Sequence, residues 1–80
     1  MTVDPASPEP AYAQLAAILR KKIRRGEYAR GPLPSVRTLM QTYDVGEFAV
    51  THAIRTLEAE GLVFTVPRRG TYVRAQPPEA

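Results

Sequence analysis

The sequence has no cysteine, no tryptophan and a single histidine, His52. These absences exclude disulfide scaffolds, zinc fingers and cysteine-based catalysis. The longest apolar run is only five residues, from Leu15 to Leu19, which is too short to span a membrane, and the acidic, proline-bearing start is unlike a secretory signal. We therefore expect a cytoplasmic protein with no membrane partner, no metal ion and no cofactor.

The length of the chain limits it to one small domain. Eighty residues with 44% hydrophobic content can form a core, but not a core together with an enclosed ligand chamber. The sequence also offers no nucleophile with a partner base and no cluster of metal ligands. It therefore predicts a protein that is not an enzyme.

Positive charge is concentrated in the middle of the chain. Residues 10–74 contain eleven Lys and Arg against five Asp and Glu, a net charge of +6, whereas the whole chain has a net charge of +3. This balance suits a polyanionic partner, although a solvated basic surface explains it as well. Five of the cations cluster at the end of the first predicted helix, at positions Arg20, Lys21, Lys22, Arg24 and Arg25.

The two ends of the chain differ in composition from the middle. Five of the eight prolines lie near the ends, and residues 1–9 and 75–80 lack apolar periodicity. We expect these segments to form flexible N-terminal and C-terminal tails. Residues 10–74 are then the folded domain.

The first predicted helix begins at Pro10 and stops at Gly26. Spacings of three and four between apolar residues define its inner face. The residues of this face are Tyr12, Leu15, Ala16, Ile18, Leu19 and Ile23.

Two further helices are predicted on either side of a tight turn at residues 44–46. Ser35 is a good N-cap for the second helix, which covers residues 36–43. The third helix begins near Glu47 and is closed by Gly61. Its inner face is formed by Val50, Ala53, Ile54 and Leu57.

A β-hairpin with a basic tip is predicted after the third helix. Residues 62–66 and 71–73 are rich in β-forming side chains, and residues 67–70 have the composition of a turn that contains Arg68 and Arg69. Two helices joined by a tight turn and followed by a hairpin make a winged helix-turn-helix. The predicted fold is mainly α with a small β-hairpin: three helices plus a two- or three-stranded wing.

Four segments of the chain resemble the DNA-binding domain of the GntR family of bacterial transcription regulators. Together they extend over most of residues 12–73. The segments are Ile-Arg-Arg-Gly-Glu-Tyr at 23–28, Leu-Pro-Ser-Val-Arg-Thr-Leu at 33–39, Ala-Ile-Arg-Thr-Leu-Glu-Ala-Glu-Gly-Leu-Val at 53–63, and Gly-Thr-Tyr-Val at 70–73.

The resemblance implies a sequence-specific regulator of transcription, a repressor, that binds double-stranded DNA as a homodimer, at least on DNA. It places the third helix in the major groove and the hairpin tip at the minor groove or the backbone. The family normally carries an effector-sensing domain after the hairpin, and that domain is absent from this chain. The candidate DNA-binding residues are Ser35, Arg37, Glu47, Phe48, Thr51, His52, Arg55, Arg68, Arg69, Gly70 and Thr71.

The third helix departs from the family at the positions that contact DNA. The family usually reads Val-Ser-Arg-x-Thr-Val-Arg-x-Ala-Leu, where residues 45–54 of this chain read Val-Gly-Glu-Phe-Ala-Val-Thr-His-Ala-Ile. The apolar scaffold positions are kept, but the polar ones are not. The alternative function is therefore a winged-helix protein-interaction module that has lost base-specific DNA reading.

Individual candidates keep two interpretations at this point. Glu47 is either a helix-start residue or an acceptor for cytosine N4, and Phe48 contacts either a thymine methyl group or a neighbouring helix. Thr51 and His52 lie on the outward face, within reach of bases. The resemblance implies a DNA contact for Arg37, and Arg55 is expected at a phosphate.

Overall fold

The chain folds into three helices followed by a two-stranded sheet. The structure is a computed structural model that describes residues 2–28 and 31–74. Its elements are α1 (Ala11–Arg24), α2 (Val36–Tyr43), α3 (Glu47–Ala59), β1 (Val63–Val66) and β2 (Gly70–Val73). The predicted winged helix-turn-helix is thereby confirmed, with a two-stranded wing.

The turn between α2 and α3 is formed by local backbone chemistry. The Ser35 hydroxyl oxygen accepts a hydrogen bond from the Thr38 amide at 3.1 Å and so caps α2, as the sequence predicts. Asp44 ends the helix in the left-handed conformation, with φ at 53°, and Gly46 then starts α3 in extended geometry. This reversal directs α3 across α1 and α2 while leaving its outer face exposed.

The core lies between α1, α3 and the wing. Five of its side chains have 0% exposure, namely Leu15, Leu19, Val50, Ala53 and Leu57. Leu39 of α2 and Val63 of β1 complete the contact with exposures of 1%. Within the described part of the chain, none of the helices combines the length and the hydropathy needed to cross a bilayer.

The wing is attached to the segment that leads into α2. The Leu33 amide donates to the Thr71 carbonyl at 2.8 Å, and the Val73 amide donates to the Gly31 carbonyl at 3.2 Å. Pro32 forms an isolated bridge with Tyr72. The wing and the start of α2 are therefore held together by main-chain bonds.

Residues 2–9, predicted as a tail, lie against α1 in the structure. The Gln14 side chain accepts from the Asp4 amide at 2.7 Å and donates to the carbonyls of Asp4 and Glu9 at 2.9 and 2.8 Å. Val3 packs against the core. The flexibility of this segment stays a prediction, and the second predicted tail, residues 75–80, lies outside the described residues.

Candidate nucleic-acid interface

The eleven candidate residues lie at three places in the fold. Ser35 and Arg37 are at the start of α2. Glu47, Phe48, Thr51, His52 and Arg55 are on α3. Arg68, Arg69, Gly70 and Thr71 form the tip of the wing and the start of β2. The α2 and wing groups approach each other because Thr71 accepts the Leu33 amide, two residues before Ser35.

The outer face of α3 is an open surface, which we call the α3 face. All five candidate residues of α3 contribute to it, together with Thr56 and Ala59. Glu47 and Arg55 supply one charge of each sign, at opposite ends of the candidate set. The face is therefore nearly neutral, and its capacity for recognition rests on shape, apolar contact and neutral polar groups.

Three aromatic rings in contact connect α1 to the α3 face. The Tyr12 ring stacks on the His52 ring with centroids 3.7 Å apart and planes 1° apart. The Phe48 ring meets His52 edge-on, with centroids 5.9 Å apart and an angle of 62°. The sequence pattern assigned Tyr12 to the core stripe and missed this contact, because only the crossing of α1 and α3 brings the two rings together.

Phe48 projects into solvent from the first turn of α3. Its side chain is 82% exposed, the highest value among the large apolar residues described. A ring this exposed does not rest against a neighbouring helix, which removes one of the two interpretations left by the sequence. Glu47 is also exposed and sits in the same turn, where the helix dipole favours a negative charge.

At the start of α2, the Ser35 hydroxyl is engaged in local structure. Besides accepting the Thr38 amide, it donates to the Thr38 hydroxyl oxygen at 2.9 Å. Arg37, one residue into the helix, is exposed. Ser35 therefore supports the helix start, while the Arg37 guanidinium is available to an anion.

The wing tip presents two exposed arginines on a tight turn. The Arg69 amide donates to the Val66 carbonyl at 3.0 Å and closes the turn. Arg68 adopts a left-handed backbone conformation with φ at 65°, and Gly70 has φ at 108°. A left-handed arginine costs about 1 kcal/mol relative to glycine, so the tip holds a cation at a strained position.

The predicted cation cluster at the end of α1 is partly neutralised in the structure. Arg20 binds Glu60 of the α3 C-cap through two hydrogen bonds, at 2.7 and 2.5 Å. This pair raises the pKa of Arg20 and lowers the pKa of Glu60. Lys22 and Arg25 each lie 3.9 Å from Glu27. Arg20 in particular serves the α1–α3 contact.

Two tyrosines influence the same end of α1. The nearby Tyr43 side chain raises the pKa of Lys22, through the negative charge of its phenolate form and through a hydrogen bond. Burial raises the pKa of Tyr28, against the opposing effect of Lys22. Within the described residues, no group of three His, Cys, Asp or Glu side chains is placed to hold a metal ion.

A comparison with protein families matches residues 11–73 to the bacterial regulatory proteins of the gntR family. Among curated relatives, the uncharacterized HTH-type transcriptional regulator YjiR of Escherichia coli (strain K12) is 42% identical over an alignment 71 positions long, which covers 84% of this chain and 15% of YjiR. The HTH-type transcriptional repressor NagR of Bacillus subtilis (strain 168) is 34% identical over 91% of this chain and 30% of NagR. The chain thus spans less than a third of the length of either relative.

Among solved structures, the AraR DNA-binding domain in complex with the operator ORX1 superimposes with a TM-score of 0.84. The match covers 92% of this chain and 95% of the AraR chain, at 28% sequence identity. The similarity therefore extends over the helices and the wing together.

Proposed function

This chain belongs to the gntR family of bacterial regulatory proteins and carries its helix-turn-helix DNA-binding domain, and from that premise we propose that it is a sequence-specific double-stranded DNA-binding transcription regulator. In this proposal α3 enters the major groove, and the tip of the wing reaches the minor groove or the backbone. The regulator acts as a repressor. No catalytic step is part of the proposal.

The observation that carries the proposal is the arrangement of α2, α3 and the arginine-bearing wing. The fold that carries this arrangement superimposes on the AraR DNA-binding domain, which was solved in complex with an operator. The outer face of α3 is open to solvent, and the major groove of DNA, which is about 12 Å wide, admits an α-helix. The exposed Arg68 and Arg69 supply positive charge on a separate element.

The candidate residues form two groups, one suited to contacts with phosphates and the other to contacts with bases. Arg37, Arg55, Arg68 and Arg69 are exposed cations, which suits them to phosphates that fix the register of the domain. The residues that we propose to contact bases lie on α3 alone, where the α3 face is nearly neutral. These residues are Glu47, Phe48, Thr51 and His52.

The repressor role and the homodimer go beyond the DNA-binding domain itself. The name of NagR, a transcriptional repressor, supports the sign of regulation. A homodimer on two-fold related half-sites follows the usual match between protein and operator symmetry in helix-turn-helix proteins. The proposal places the protein in the cytoplasm, because that is where bacterial regulators meet DNA.

A second candidate function is that of a protein-interaction module. The observation that favours it is the 82% exposed Phe48 beside Glu47, where Glu47 and Thr51 stand at the two positions at which the family usually has arginine. An exposed apolar ring on a domain with a net charge of +6 over residues 10–74 suits an acidic protein surface as well as DNA. The two functions differ in whether free duplex DNA is bound with sequence preference.

Selection of bound duplexes from a random pool tests the proposal. We expect an enriched motif with two-fold symmetry, and binding to it that weakens as salt rises because phosphate contacts release counterions. An enriched motif without symmetry would contradict the homodimer alone. If no motif is enriched and affinity depends only on salt, base reading by α3 is refuted and the interaction module becomes the better account.

A further inference from the structure

The charge of the α3 face limits which bases this face can recognise. Of the described residues that line it, Arg55 is the only cation, and it lies two turns beyond Glu47. Bidentate recognition of guanine needs a guanidinium or an ammonium at the base edge, and the first turn of α3 has neither. The N-terminal turn of a recognition helix is the part that usually meets the bases. Its reading here must use other chemistry.

Phe48 is the side chain of that first turn with the largest apolar surface. It is 82% exposed in the free domain, so its burial in a complex removes most of the ring from water. The ring is also supported, because the His52 ring meets it edge-on and the Tyr12 ring stacks on His52. The centroid distances are 5.9 Å and 3.7 Å, respectively. A supported ring loses less conformational entropy on binding than a free one.

We propose that Phe48 reads the 5-methyl group of a thymine in each operator half-site, and so makes thymine the base that the first turn of α3 selects. This inference rests on the proposed function and names the base that its site recognises. In the major groove, thymine alone among the four bases presents a methyl group, while the other edges present hydrogen-bonding groups. An apolar ring therefore distinguishes thymine by contact, without a hydrogen bond.

Replacement of thymine by deoxyuridine removes the methyl group and leaves base pairing unchanged, which makes it a direct test. The duplex enriched by selection is synthesised with each thymine replaced in turn, and the affinity of the chain is measured by fluorescence anisotropy. We expect one position per half-site at which the substitution weakens binding about fourfold, as burial of a single methyl-sized group implies. At that position, Phe48→Ala should bind the thymine and deoxyuridine duplexes equally.

Phe64→Ala provides the matched control, since Phe64 is the other exposed large aromatic residue described, at 39%, and lies on the wing. This variant should keep the fourfold preference for thymine. The inference is overturned if no thymine position shows the loss, or if Phe48→Ala keeps it. Specific binding to the selected duplex in either case leaves the proposed function standing, whereas failure to enrich any duplex removes both.

Discussion

Tyr12 of α1 stacks face to face on His52 of α3, with the ring centroids 3.7 Å apart. The two residues are far apart in the sequence, and the stack joins the first turn of α1 to the middle of the outer face of α3. Phe48 meets the same His52 ring edge-on, with centroids 5.9 Å apart. The position of the proposed base-reading ring therefore depends on a residue of a different helix.

Replacement of Tyr12 by alanine should weaken both folding and DNA binding. The stack contributes about 1 kcal/mol beyond the area it buries, so the free energy of unfolding should fall by at least that amount. Affinity for the selected duplex should fall as well, because His52 and Phe48 lose their support. Tyr12→Phe keeps the ring and serves as the control. Equal affinities for Tyr12→Ala and wild type would show that the stack does not position the reading face.

The N-cap at Ser35 should be worth a measurable part of the stability. Its hydroxyl satisfies the Thr38 amide, and α2 is only eight residues long. Ser35→Ala should lower the free energy of unfolding by about 1 kcal/mol, whereas Ser35→Asp, which can still accept the amide, should retain most of it. Urea denaturation of the three proteins measures the difference. A loss in both variants would point to a role other than capping.

The ion pair of Arg20 and Glu60 should make stability depend on pH in the acid range. The pKa of Glu60 lies below its ordinary value of 4.5 in the folded protein, because Arg20 donates two hydrogen bonds to the carboxylate. A lowered folded-state pKa stabilises the fold above pH 4.5 and this contribution is lost as pH falls through the folded pKa. Glu60→Gln should therefore be less stable than wild type at pH 7 and differ less from it at pH 3.

Solvent exposure limits how much the Arg20–Glu60 ion pair contributes to the free energy of unfolding. The two side chains are 29% and 34% exposed, so we expect a difference of about 0.5 to 1 kcal/mol at neutral pH. The matched control is Glu9→Gln, which removes a carboxylate of the N-terminal segment but leaves the Arg20–Glu60 ion pair in place. A constant gap between Glu60→Gln and wild type from pH 7 to pH 3 would contradict the assignment.

The arginines of the wing tip should contribute to DNA binding and not to folding. In the double variant Arg68→Gly with Arg69→Ala, glycine relieves the left-handed conformation at position 68, which offsets its greater freedom in the unfolded chain. Stability should therefore be unchanged or slightly higher. The slope of log affinity against log salt should become shallower by about two for each bound protomer, one for each lost phosphate contact, and so by about four for a homodimer.

A charge-preserving variant separates this role from shape. Arg68→Lys with Arg69→Lys keeps both cations, so its salt slope should stay close to that of wild type. If the double variant that removes both charges has the wild-type slope, the wing tip does not contact phosphates in the complex.

Local signals in the sequence were sufficient to predict the helices and the hairpin. Ser35 marked the start of α2, and apolar spacing identified the buried face of α3, both as the structure has them. Each of these features depends on residues within one or two turns of each other. The family segments added the order in which the elements pack.

Contacts between distant residues were not visible in the sequence. Tyr12 has the sequence spacing of a core residue, yet in the structure its ring stacks on His52 of another helix. Gln14 is a polar residue on a helix, and nothing local indicates that it holds Asp4 and Glu9. The exposure of Phe48 also depends on how α3 crosses its neighbours, so the sequence could not show that this ring stands clear of the neighbouring helices.

The most direct test of the account is the ratio of two affinities measured at the same physiological salt concentration, one for the selected duplex and one for a scrambled duplex of equal length and composition. A domain that reads bases through α3 should prefer the selected duplex about 10³-fold or more. Phe48→Ala should reduce that ratio, while Arg68→Gly with Arg69→Ala should lower both affinities together and leave the ratio nearly constant. A ratio close to one for the wild-type chain would contradict sequence-specific DNA recognition by this domain.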